Sequence, residues 1–258
     1  MFLWFKKKEI VLDCFTGSPI AYELGKPDFA YKFFPEWFIK LPKRMPNIRN
    51  PRTGENGTIK LCRAFKRYYT ANSIILPSGY FGHIKVNTKE KRTFDWRIQT
   101  KDTSQGVSSH HSAQSEGFLT DNYQHIKLSS SWSFKTNKFI EFLWSDPIYN
   151  RPNICDYTIM PGVIDFKYQH DAFINLVLEY KNDPYELEFK PGQPLVMLTP
   201  LSQDYNITIK HHLIDKSKEE PLGEVSTYDS ERRYPENKKI IQAADKRDEM
   251  KKCPFHLR

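Results

Sequence analysis

Apolar and polar positions alternate along much of this chain with a period of two, the spacing that turns one side of an extended segment toward a core and the other toward water. Phe94, Trp96 and Ile98 share one face of such a segment, with Asp95 and Arg97 on the other. Ile10-Val11-Leu12 and Ile20-Ala21-Tyr22-Glu23-Leu24 flank the turn-like Thr16-Gly17-Ser18-Pro19 and predict a strand pair. Further strands are expected over 73–77, 83–87, 125–128, 131–135 and 139–144. At Leu195-Val196-Met197-Leu198 the alternation gives way to a continuous apolar run, which suits a strand buried on both faces.

Helical spacing is confined to three places. A short helix begins at Pro35 and is stopped by Pro42, a second follows a turn within 58–69, and a third runs from 235 to 252, opened by Pro and acidic residues and closed before Pro254. The apolar face of the third, Ile240, Ile241 and Ala244, is too narrow to hold a helix in water, so it needs a partner surface on its own subunit or another. Around the first helix, Phe33, Phe34, Trp37 and Phe38 sit together with aliphatic residues instead of being interleaved with Arg. That is the composition of a packing plug rather than of a nucleic-acid stacking platform. Residues 42–57, rich in Pro, Asn, Arg and Gly, predict a mobile or partner-ordered loop, and 100–114 a polar one.

Composition agrees with a β-rich globular protein: among 258 residues, 14% are aromatic and Gly and Pro total 28. The expected class is mainly β, with residues 1–57 as an N-terminal extension, 58–205 as the β domain and 206–258 as a tail carrying the last helix. No apolar run approaches the roughly 20 residues that span a bilayer. Met1-Phe2-Leu3-Trp4-Phe5 is followed by three lysines, the reverse of a signal peptide's order. Trp4 and Phe5 are therefore expected to start a strand or pack on a neighbour, with a membrane-surface anchor as the alternative. Cys14, Cys62, Cys155 and Cys253 are scattered, form no C-x-x-C pair and read as buried thiols. His110-His111 and His211-His212 are adjacent pairs, which in a strand point to opposite faces and make poor two-ligand metal sites. No metal or cofactor is expected.

Charge is unevenly spread. Residues 1–110 hold 20 Lys and Arg against 9 Asp and Glu, whereas 111–205 hold 7 against 12. Such asymmetry suits nucleic-acid steering or front-to-back pairing of copies, although no recognised nucleic-acid motif accompanies it. For a single cluster such as 40–52, a solvated surface explains the charge equally well.

The passage Gly162-Val163-Ile164-Asp165-Phe166-Lys167-Tyr168, with Phe173-Ile174-Asn175-Leu176-Val177-Leu178 and Pro191-Gly192-Gln193-Pro194-Leu195-Val196-Met197-Leu198, resembles the hairpin and following strands of dUTPases and dCTP deaminases. The resemblance implies a dUTPase-like, jelly-roll-like β-roll that assembles as a homotrimer. In that family the Asp orients the attacking water and the Tyr packs on deoxyribose, positions held by Asp165 and Tyr168, and Arg97 and Arg151 are the candidate phosphate ligands. Gln169-His170 stands where the family has Gly, the final strand lacks its polar Gln, and neither the Arg-Ser-Gly turn nor the Gly-rich C-terminal arm is present. The other reading of Asp165 is a turn residue bonded to its own backbone.

Phe34-Pro35-Glu36-Trp37-Phe38, Leu41-Pro42-Lys43, Thr58-Ile59-Lys60-Leu61-Cys62 and Phe142-Leu143-Trp144-Ser145-Asp146-Pro147-Ile148-Tyr149-Asn150-Arg151, in this order, resemble an uncharacterised family frequent in tailed-phage and marine viral genomes. The resemblance implies a viral protein located in the virion or the host cytoplasm. Together the two resemblances lead us to expect a non-enzymatic virion structural or assembly protein (head, neck or tail) that binds its own copies and other virion proteins. Trp4, Phe5, Ile240 and Ile241 would carry assembly. The alternative is an enzyme or binding protein for (deoxy)nucleotides.

Overall fold

The computed structural model describes residues 7–99, 106–110, 115–151, 156–170, 172–214, 235–236, 238–243 and 245–246. It is mainly β: among the described residues fifteen strands form four sheets, with three short α-helices between β1 and β3. β1 (Lys8–Thr16) lies between β15 (Tyr205–Leu213), to which it runs parallel, and β8 (Ser133–Thr136). A second sheet orders β10 (Tyr157–Ile159), β12 (Phe173–Glu179), β7 (Tyr123–Ser129) and β6 (Val107–Ser109). The third, with five strands, orders β11 (Gly162–Asp165), β9 (Glu141–Ser145), β14 (Pro194–Pro200), β3 (Ile74–Pro77) and β2 (Asp28–Phe29). The fourth sets β4 (Phe81–Val86) between β13 (Tyr185–Phe189) and β5 (Phe94–Gln99).

One apolar cluster takes side chains from all four sheets, among them Leu12, Ile84, Ile126, Phe142, Leu176 and Leu198. The other face of the five-stranded sheet is covered separately. There Ile75 of β3 and Met197 of β14, which are register partners, lie under Ala30, Phe38, Phe65 and Tyr69. The continuous apolar run of β14 is thus buried on both sides, as its composition predicts.

Two expectations about the strands fail, each for a physical reason. Residues 20–24 are not a strand: α1 (Pro19–Leu24) forms because Ser18 caps it, its Oγ accepting from Ala21 N–H at 3.3 Å, and Pro19 supplies the preset φ of the first turn. The strands within 161–200 do not pair with one another: β11 pairs with β9, β12 with β7 and β10, β13 with β4, and β14 with β3 and β9. The turns between them carry the chain from sheet to sheet. At Gly192 (φ +85°), the turn from β13 to β14 comes so close to α1 that a Cβ would lie 2.8 Å from the Leu24 carbonyl oxygen.

Residues 42–57, expected as a mobile loop, are tied into a hairpin by Thr58 N to Lys43 O (3.0 Å), Met45 N to Asn56 O (2.9 Å) and Asn50 N to Glu55 O (2.7 Å). On β5 the apolar face is Phe94, Trp96 and Ile98 as expected, but the strand is a sheet edge and Trp96 stays 44% exposed. The two helices expected early in the chain are α2 (Glu36–Lys40) and α3 (Arg63–Thr70). The described residues 235–236, 238–243 and 245–246 are helical as well. No described helix is long and apolar enough to cross a membrane.

The core assignment can be checked by truncation. Leu176→Ala, at a fully buried position on β12, should cost about 2–5 kcal/mol in urea unfolding. Val163→Ala on β11, where the side chain is 55% exposed, should stay within about 0.5 kcal/mol of the parent. Equal costs would mean that β12 does not face the core.

Candidate functional site

Asp165 ends β11 and is buried, and its Oδ1 accepts from the backbone N–H of Tyr168 at 3.0 Å. This is the turn geometry in which a carboxylate folds onto its own backbone. The Tyr168 ring is buried too, tilted against Phe139 with centroids 6.2 Å apart, and Lys167 and Lys238 extend their ammonium groups toward it at 5.9 and 5.5 Å. Lys238 belongs to the C-terminal helix, as does Asp245, whose Oδ2 takes Lys167 Nζ at 2.5 Å. The helix therefore meets the turn through Lys238 and Asp245, seven residues apart on one face. Ile241 is half-buried and Ile240 is 65% exposed.

The two arginines named as phosphate ligands lie elsewhere. Arg97 is on the exposed face of β5, in register with His83. Arg151 is buried: it donates to Asp146 Oδ2 and to the Tyr157 carbonyl, and stacks on the Tyr157 ring at 4.4 Å. Asp146 Oδ2 also accepts from Ile159 N–H (3.2 Å), while the Asp146 carbonyl accepts from Tyr68 OH (2.9 Å). Desolvation raises the Asp146 carboxyl above its ordinary value, with Arg151 opposing the shift. The 146–151 loop is anchored further by Trp37 Nε1 to Tyr149 O (3.0 Å), Tyr69 OH to Asn150 Oδ1 (2.8 Å) and Asn150 Nδ2 to Phe33 O (2.6 Å). Aromatic segment, α3 and loop are thus one polar-and-ring network, and the rings of 33–38 act as packing. Trp4 and Phe5 lie outside the described residues.

The histidines divide by environment. His211 and His212 point to opposite sides of β15: His211 Nε2 is 2.7 Å from the Pro27 carbonyl oxygen, and His212 Nε2 is 2.8 Å from Asp13 Oδ1. His110 stacks on His125 at 4.0 Å, beside a recess of about 180 Å³ that Arg92, Asp121 and Tyr180 also line; His111 lies outside the described residues. Desolvation, then His110, lowers the His125 pKa, and Nε2 lies 3.2 Å from Asn175 Oδ1. Among the described residues, no group of three His, Cys, Asp or Glu could hold a metal ion.

The sequence reading passed over one cavity. The 43–58 hairpin and the start of α3 enclose a cleft of about 640 Å³ lined by Arg44, Arg49, Glu55, Thr58, Leu61 and Cys62 among others. Cys62 is exposed, a correction to its reading as a buried thiol; Cys14 is buried, its thiol pushed up by burial and by Asp13, and Cys155 and Cys253 lie outside the described residues. Charge density was the available signal: residues 36–67 hold nine Lys and Arg against two Glu. No family model, curated protein or solved structure matches this chain.

Two measurements test the site. A depressed imidazole binds its proton less tightly in the fold than in the unfolded chain, so its contribution to stability is present above the ordinary imidazole value and lost as pH falls through the folded one. Urea stability should fall from about pH 7 to about pH 5.5, and His125→Gln should make that slope shallower. An unchanged slope would place the titration elsewhere. Arg151→Met leaves the Asp146 carboxylate buried without its guanidinium and should cost about 3–5 kcal/mol in the same assay.

Proposed function

We propose that this chain is a non-enzymatic structural or assembly protein of a tailed-phage particle, a head, neck or tail component built on a dUTPase-like β-roll and working as an oligomer. The observation that carries the reading is the state of the Asp165 turn. Its carboxylate is folded onto the Tyr168 backbone N–H, and the C-terminal helix lies against Lys167 and Tyr168. A general base needs its carboxylate free to meet a water and its substrate pocket open. Here Oδ1 of that carboxylate holds a turn, and the residues beside it hold a helix. That helix keeps Ile240 65% exposed, an apolar side chain offered outward. A neighbouring copy or another particle protein is the natural cover for it.

Turnover and self-association separate this reading from its enzymatic rival. Purified protein with magnesium should release no pyrophosphate or ammonia from dUTP or dCTP, and Asp165→Asn should leave oligomer mass unchanged. Deleting residues 230–258 should preserve a cooperative melt and shift native mass toward smaller species. Turnover that disappears with Asp165→Asn would establish the nucleotide reading in its place. A deletion that abolishes the melt of a protein already monomeric would make the helix part of the fold and end the assembly reading.

A further inference from the structure

We infer that the cleft between the 43–58 hairpin and the start of α3 binds the phosphodiester backbone of a nucleic acid. The cleft is a built feature. Its walls are held by the backbone hydrogen bonds that tie Lys43 to Thr58, Met45 to Asn56 and Asn50 to Glu55. Asn50 Oδ1 closes the tip by accepting from Arg52 N (2.9 Å) and Thr53 N (3.3 Å), and Gly54 supplies the left-handed residue (φ +70°) that returns the chain. Arg44 and Arg49 thereby line the cleft, and among the described residues neither forms an ion pair with a carboxylate. Of the two acidic residues of the segment, Glu36 pairs with Lys40, and Glu55 also lines the cleft, where its Oε2 accepts from Thr53 Oγ1 at 3.4 Å.

The cations continue past the cleft. Cys62, on its wall, is the N-cap of α3, whose buried side is Phe65 and Tyr69 and whose exposed side carries Arg63, Lys66 and Arg67. A pocket for one small anion has no use for this second row. A repeating anion does, because each phosphate met by a cation releases condensed counterions. Guanidinium forks suit phosphate oxygens better than ammonium groups do, and both cations in the cleft are arginines. A lipid surface is the competing acidic partner, but it requires a convex face that can enter the headgroups, whereas Arg44 and Arg49 line a concave one. Lys60, at the centre of the basic run, is not part of the offer: its Nζ donates to the Ile39 and Leu41 carbonyls at 2.8 and 2.9 Å. This inference stands apart from the assembly reading, since a particle protein with an inert cleft and a nucleic-acid binder that never assembles are both physically coherent.

The test uses the full chain, fluorescent single-stranded and duplex oligonucleotides of mixed sequence, and vesicles of phosphatidylserine and phosphatidylcholine. Anisotropy should show binding to at least one oligonucleotide, weakening about a hundredfold between about 50 and 200 mM salt if four phosphates are contacted. R44E/R49E should weaken it roughly 30- to 100-fold at about 100 mM salt and lower the salt slope by about 2. The equally charged control K89E/K91E, on the turn between β4 and β5, should change affinity by less than about threefold because surface charges are screened beyond about 10 Å. A second readout needs no variant: bound oligonucleotide should slow maleimide labelling of Cys62, followed on its own peptide by mass spectrometry. Equal losses in the two double variants, unprotected Cys62, absent binding at low salt, or tighter binding to the vesicles than to either oligonucleotide would each overturn the inference.

Discussion

Strand β14 crosses the middle of the molecule with apolar side chains on both faces, and much of the remaining structure serves to keep water from the two sides. Val196 and Leu198 enter the core shared by all four sheets, while Met197 faces the opposite way beside Ile75. A strand of this kind is stable only between two covering layers. The first layer is supplied by sheets from along the whole chain. The second is made by short helices early in it, through Phe38, Phe65 and Tyr69. These helices have few turns and little stability of their own, so they persist by docking on the sheet, as the sheet persists by being covered.

The docking is fixed by the loop that leaves β9. Asp146 and Arg151 bury an ion pair beneath it, the Asp146 and Tyr149 carbonyls receive Tyr68 and Trp37, and the Asn150 side chain bridges Tyr69 and the Phe33 carbonyl. A buried pair of this kind offers little net stabilisation over an apolar replacement, but it requires one geometry, because losing either partner strands a charge in the interior. The aromatic, Lys-Leu-Cys and Trp-Ser-Asp segments, far apart along the sequence, thus belong to one contact network in space. Its exposed edge is where the basic hairpin and α3 project, so a packing device and a charged surface share the same elements.

Asp165 shows how position and role come apart. A rigid turn at the end of a strand is a suitable mount for a catalytic carboxylate, and the local sequence reads that way. In the folded chain the carboxylate is committed to the Tyr168 N–H, Arg151 to Asp146, and the face of the turn to Lys238 and Asp245 of the C-terminal helix. The chemistry available to a residue follows from what its neighbours leave unsatisfied. Arg44 and Arg49 are the reverse case, unremarkable in a polar loop yet held at a cleft by a hairpin, with no ion pair among the described residues.

What the sequence determined by itself was local: alternation located most strands, the apolar run marked β14 as doubly buried, and Pro and Gly marked the turns, because side-chain period and backbone preference act within a few residues. Ser18-Pro19 was a readable helix signal, and in the fold it prevails over the β-branched and aromatic residues around it. Which strands pair was decided only in the tertiary structure. The strands of 161–200 each find partners far away in the chain, since satisfying backbone hydrogen bonds and burying β14 on both faces are properties of the assembled sheets and not of any segment. The exposure of Val163 and Cys62, the burial of Arg151 and the opening of the basic cleft followed from the same decision, because a side chain's access to water depends on elements that its own sequence neighbourhood does not contain.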